Sequence, residues 1–79
     1  MRILVVEDDA DLNRQLVGAF KEAGYAVDSA TDGEEGHYLG DTEPYDVVVL
    51  DIGLPIIDGI SVLEKWRRAG RRMPGLILT

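Results

Sequence analysis

The sequence predicts an α/β fold in which a parallel sheet carries helices on both faces. Three observations point there. The apolar runs Ile3–Val6 and Val47–Leu50 show no polar alternation, so both faces of each strand are covered. The segments between strands either repeat apolar residues at helical spacing or open on a capping signal. The order is strand–helix three times and then a strand, which calls for parallel strands joined by right-handed crossovers.

The first strand, Ile3–Val6, runs directly into the acids Glu7, Asp8 and Asp9. Leu12, Leu16, Phe20 and Ala23 then fall on one helical stripe, with Val17 and Ala19 beside it. Asp9 or Asp11 is available to cap this helix, and Gly24 suits the position just past its end. Ala26–Ala30 is a second short strand. Thr31-Asp-Gly-Glu34 has the spacing of a capping box and opens a helix through about Leu39. Gly33, Gly36 and Gly40 weaken it, each interior glycine costing about 1 kcal/mol relative to Ala. Asp41–Pro44 forms a polar connection into the third strand, Val47–Leu50. That run stops at Asp51, after which Gly53, Pro55 and Gly59 break regular structure. Asp58 caps a helix expected to bury Ile60, Leu63 and Trp66 and to stop near Gly70. Pro74-Gly75 then leads into a fourth strand, Leu76–Leu78, with Thr79 at its end.

With 79 residues the chain holds at most one domain, and a small one, and 46% apolar with 29% charged residues is ordinary for a soluble globular protein. The net charge of −7 disfavours sequence-independent nucleic-acid binding by this chain, and equally disfavours docking on an anionic membrane. Five of the eight basic residues lie in Lys65–Arg72, where they complement a helix macrodipole. With no cysteine there is neither a disulfide framework nor a thiolate metal site. The N-terminus does not read as a signal peptide, and no stretch approaches the roughly 20 apolar residues that span a bilayer. A cytoplasmic location is expected. The lone His37 is expected to face solvent, and Trp66 to serve the core.

A carboxylate at the carboxyl end of a buried parallel strand sits where open α/β sheets bind ligands. If the first and third strands are neighbours, Glu7, Asp8 and Asp51 converge there. Three carboxylates in one pocket repel one another, and a bound cation removes that penalty. Oxygen donors without His or Cys indicate a hard cation, and two carboxylates plus waters suit Mg²⁺ better than a Ca²⁺ cage. The Gly53 carbonyl is a further candidate ligand. Such a site suits phosphoryl transfer to a carboxylate nucleophile, giving an aspartyl phosphate. The Thr79 hydroxyl, at the end of the adjacent strand, is placed to hydrogen-bond a phosphoryl oxygen.

The segments ILVVEDD, VVVLDIGLPIIDG and ILT resemble the receiver domain of two-component response regulators. The likeness is closest to the OmpR-type class that carries a winged-helix DNA-binding domain. The resemblance implies a flavodoxin-like (CheY-like) fold with strand order 2-1-3-4-5. It implies that Asp51 is the phospho-acceptor for a sensor histidine kinase. By the same match Glu7, Asp8, Asp51 and the Gly53 carbonyl hold Mg²⁺, and Thr79 is the switch hydroxyl. Pro55 and Gly59 match the loop after the acceptor. The implied module is a non-enzymatic switch that reaches DNA only through an output domain. On this reading residues 1–79 are the N-terminal two-thirds of a receiver domain. The fifth strand, the last two helices, the lysine ending that strand and any effector domain then lie outside them. A sheet edge and one face left without cover lead to an expectation of self-association. The competing enzyme reading is a Mg²⁺-dependent phosphohydrolase with an aspartyl nucleophile, whose chemistry wants a second acid where Gly53 stands. A nucleotide-binding half-domain needs a Gly-rich loop where Glu7-Asp8-Asp9 stands, and is set aside.

Overall fold

The computed structural model describes residues 1–78; Thr79, expected as the switch hydroxyl, lies outside the described residues. The elements are β1 (Arg2–Val6), α1 (Ala10–Glu22), β2 (Ala26–Ala30), α2 (Gly33–Thr42), β3 (Val47–Asp51), α3 (Gly59–Arg68) and β4 (Gly75–Leu78). All pairings are parallel and the order is β2-β1-β3-β4, the first four strands of the expected arrangement. Among the described residues no helix is long and apolar enough to cross a membrane.

The unalternated strands bury both faces, as their composition demands. Leu4, Val6, Val48 and Leu50 point toward α2 and α3 and pack with Ala30, Tyr45, Val62 and Trp66. Ile3, Val5 and Val49 point the other way, against Leu16, Val17 and Phe20 of α1. Each fully buried Val, Leu or Ile contributes about 1.5–3 kcal/mol, so these strands supply much of the fold's stability.

The helix ends show where sequence reading succeeds and where it slips. Asp9 caps α1, accepting from the Asp11 and Leu12 N–H groups, and Gly24 follows its end at φ +96°. The cap of α2 is Asp32 rather than Thr31, with its carboxylate accepting from the Glu35 N–H at 2.8 Å. This helix runs on to Thr42 despite its glycines. The reason is packing: Gly36 lies against Val6 and Gly40 against the Trp66 indole, so a Cβ at either would collide. The Trp66 indole N–H donates to the His37 carbonyl at 3.0 Å, joining α3 to α2. His37 itself is half-buried, not solvent-facing, because its turn of α2 leans on α3. In α3 the buried stripe is Gly59, Val62 and Trp66. Ile60, expected to be buried, is 43% exposed, since it lies one position off that stripe.

At the amino-terminal ends of the strands, the Tyr45 hydroxyl donates to the Asp28 carboxylate at 2.7 Å. Arg2 donates to Asp28 and Glu43 while lying 5.0 Å over the Tyr45 ring. Burial, with the Asp28 anion beside it, pushes the Tyr45 hydroxyl well up, so it stays protonated and donates.

These contacts separate two classes of glycine. Gly40→Ala drives a methyl into the indole and is expected to destabilise the fold by about 1–3 kcal/mol. Gly18→Ala, in the interior of α1 with open space around it, is expected to stabilise by about 0.5–1 kcal/mol. Urea denaturation of the two variants against the parent measures both signs.

Candidate functional site

The register of β1 against β3 builds the site. Val6 stands opposite Leu50, so the next residue of each chain segment, Glu7 and Asp51, emerges at the same end of the sheet. Carboxylate oxygens of Glu7, Asp8 and Asp51 lie within 4.8 Å of one another. Glu7 is 3% exposed, Asp51 half-buried and Asp8 exposed, so the cluster grades from the protein interior to solvent. The Asp9 N–H donates to Glu7 Oε2 at 3.0 Å. A longer bond, 3.4 Å, runs from the Gly53 N–H to Asp51 Oδ1. Burial pushes the Glu7 carboxyl above its ordinary value, and the negative charges of Asp51 and Asp8 add to this against the Asp9 hydrogen bond.

Among the described residues no Lys or Arg forms an ion pair with these three acids; the four ion pairs present lie elsewhere. A buried carboxylate with two more beside it and no basic partner is a donor set suited to a hard divalent cation. Gly53 is exposed and nothing stands within 4 Å of the position a Cβ would take, so side chains do not crowd it.

The loop after β3 is held from two sides. A Cβ at Gly59 would collide with the Asp51 carbonyl, and the Gly59 N–H donates to the Ile52 carbonyl at 2.9 Å. Only glycine lets α3 begin so close to the acid. The Pro55 carbonyl accepts from both Gly33 at 3.1 Å and Ile57 at 2.9 Å, tying the loop to the start of α2. Ile56, between Pro55 and Ile57, sits at φ +71°. That angle and the i→i+2 bond across it belong to a strained γ-turn, and a β-branched residue is a genuine outlier there. Ile56 is also 72% exposed, so packing does not compensate the strain. Asp58 caps α3, accepting from the Ser61 N–H at 2.9 Å and the Ser61 hydroxyl at 2.8 Å.

Sequence reading passed over Asn13. It is 6% exposed, and its side-chain amide donates to the Glu7 carbonyl at 2.9 Å and the Ala30 carbonyl at 3.0 Å. Its signal was present: Asn13, Leu16, Val17 and Phe20 share the i, i+3, i+4, i+7 face of α1 that packs on the sheet.

Charge is unevenly spread along the strand direction. The helices start near the acid cluster with Asp9, Asp11, Asp32, Glu34, Glu35 and Asp58; α1 carries Lys21 in its last turn and α3 carries Lys65, Arg67 and Arg68, whereas α2 has no basic residue there. Both placements complement the helix macrodipoles.

Residues 3–79 match the family model of the response regulator receiver domain. The chain belongs to that family. This receiver is 46% identical over 79 residues to the transcriptional regulatory protein QseB of Haemophilus influenzae, using all of the chain and 36% of that protein. It therefore spans about a third of the length of the curated relatives it matches. Its relatives are OmpR-family transcriptional regulators. The receiver domain of Francisella response regulator 1452 matches at a TM-score of 0.93 with 36% identity, over 96% of this receiver and 63% of that chain. A second solved relative is the receiver domain of the sensor histidine kinase PA1611 from Pseudomonas aeruginosa, which has a magnesium ion coordinated in its active-site cleft. It matches at a TM-score of 0.87 with 33% identity, over 99% of this receiver and 66% of that chain. The expected CheY-like architecture is thereby shown.

Two expectations follow from the loop of this receiver. The Ser61 N–H and hydroxyl hold the Asp58 carboxyl below its ordinary 3.8. Its folded value lies below its unfolded one, so its contribution is present above the ordinary value and lost as pH falls through the lowered one. Acid unfolding followed by circular dichroism should show a shallower acid-side loss of stability in Asp58→Ala than in the parent. Ile56→Gly relieves the positive-φ strain and is expected to raise stability by about 1 kcal/mol in urea denaturation.

Proposed function

We propose that Asp51 accepts a phosphoryl group from a sensor histidine kinase, with Mg²⁺ held by Glu7, Asp8, Asp51 and the Gly53 carbonyl. The observation that carries this reading is the meeting of three carboxylates, one of them buried, at the ends of β1 and β3, with no basic partner among the described residues. The magnesium ion reported for the related PA1611 receiver gives further support. When bound, Mg²⁺ supplies charge neutralisation for the phosphoryl oxygens.

The chain's own residues divide the work. Glu7 is too buried to reach a phosphodonor and serves as a fixed anion, held by the Asp9 N–H. Asp51 is half-buried on β3, flanked by β1 and β4, with Oδ2 free of protein donors among the described residues. Its oxygen attacks phosphorus, forming the O–P bond as the N–P bond to the kinase imidazole breaks. The imidazole nitrogen keeps the electron pair and regains a proton. The product carries roughly −1.5 to −2 charges beside Glu7 and Asp8, and that repulsion acts on the 53–58 loop next to it. Thr79 is assigned the switch hydroxyl on the family resemblance. The receiver acts in the cytoplasm as a switch rather than a turnover enzyme, and residues outside this chain carry the DNA-binding output. Gly53, standing where a phosphohydrolase wants its second acid, supports the non-enzymatic reading.

Calorimetric titration with Mg²⁺ is expected to show binding that Asp51→Asn and Asp8→Asn each weaken about tenfold or more. With phosphoramidate and Mg²⁺, intact-mass measurement should find one phosphoryl group on the parent and none on Asp51→Asn. Labelling that persists in Asp51→Asn overturns the acceptor assignment. Sustained release of p-nitrophenol from its phosphate ester would move the reading to the hydrolase.

A further inference from the structure

We infer that Asn13 is a positioning residue for the acid cluster, setting where Asp8 stands relative to Glu7 and Asp51. The inference rests on reading that cluster as a Mg²⁺ site. Asn13 is the one polar residue on the sheet-facing stripe of α1, and nothing in the core requires an amide there. Its single Nδ2 spends both hydrogens on backbone carbonyls, Glu7 at 2.9 Å and Ala30 at 3.0 Å. Its own N–H donates to the Asp9 carbonyl at 2.9 Å. The Ala30 carbonyl also accepts from the Glu7 N–H at 3.1 Å, so Asn13 extends the β1–β2 ladder past the last paired strand residue.

The geometry gives this clamp a specific consequence. The Glu7 carbonyl and the Asp8 nitrogen and Cα share one planar peptide unit. Fixing that carbonyl fixes the direction in which the chain leaves Glu7, and with it the root of the Asp8 side chain. The same turn presents the Asp9 N–H to Glu7 Oε2. One buried amide therefore stands behind two of the three acids while touching neither carboxylate. Asn suits the task because it offers two donors from one atom. Asp offers none and would add a fourth negative charge, and a serine offers one.

The test compares the parent with Asn13→Ala, Asn13→Ser and Tyr45→Ala, the last a destabilising change at the opposite end of the sheet. Mg²⁺ affinity is measured by calorimetry. In metal-free protein, exchange of the Asp9 amide is measured relative to core amides such as Leu4. Asn13→Ala is expected to raise the Mg²⁺ Kd 10- to 100-fold and to speed Asp9 exchange relative to the core. Asn13→Ser, which keeps one donor and the fold, should fall between. Tyr45→Ala should lower stability and leave both readouts near the parent. An unchanged Kd in both Asn13 variants overturns the inference, as does an equal loss in Tyr45→Ala, which would trace the effect to global stability. Absence of Mg²⁺ binding by the parent overturns the metal reading itself, and this inference with it.

Discussion

Parallel pairing of β1 with β3 is the constraint on which the rest of this receiver depends. It brings Glu7 and Asp51 to one end of the sheet, where like charges oppose their own assembly. Nothing local favours that meeting. It is imposed by the apolar residues behind it, which can be buried on both faces only if the two strands lie side by side. The hydrophobic core thus drives together groups that would otherwise separate, and the acid cluster holds a tension that a cation or a proton relieves.

The flanking segments keep the tension from dispersing. Gly59 lets α3 begin against the Asp51 backbone, and the Pro55 carbonyl fastens the intervening loop to the start of α2. Helix α2 is in turn pressed onto β1 and α3 through its glycine face. A change of charge at Asp51 therefore meets a loop anchored at both ends and strained at Ile56 in its middle.

Much of this was legible in the sequence because the governing signals are local. Unalternated apolar runs announce buried parallel strands, and an acid directly after such a run announces its position at the carboxyl end. What was missed depends on which face of a helix meets the core, which tertiary packing decides. Ile60 and Trp66 both belong to an apolar pattern, yet only Trp66 lies on the stripe that α2 covers. Gly36 and Gly40 read as weaknesses by propensity and are contact positions in the fold. Thr31 and Asp32 both fit a cap, and the choice rests on which oxygen reaches the Glu35 N–H. Asn13 escaped because a polar residue is read by default as solvated. The strain at Ile56 comes from how the loop closes, and no pattern of residues encodes it.

The concentration of acids around the carboxyl ends of the strands, with most of the bases toward the other end, gives the molecule a permanent electrical axis. A positively charged surface diffusing past feels a torque on this receiver before it touches, and the receiver turns its acidic pole toward the visitor. At physiological ionic strength that torque acts over about 8 Å, roughly the last few water layers of an encounter. Dissolved salt would therefore tune how often a collision arrives facing the right way, while leaving the fitted complex itself largely untouched.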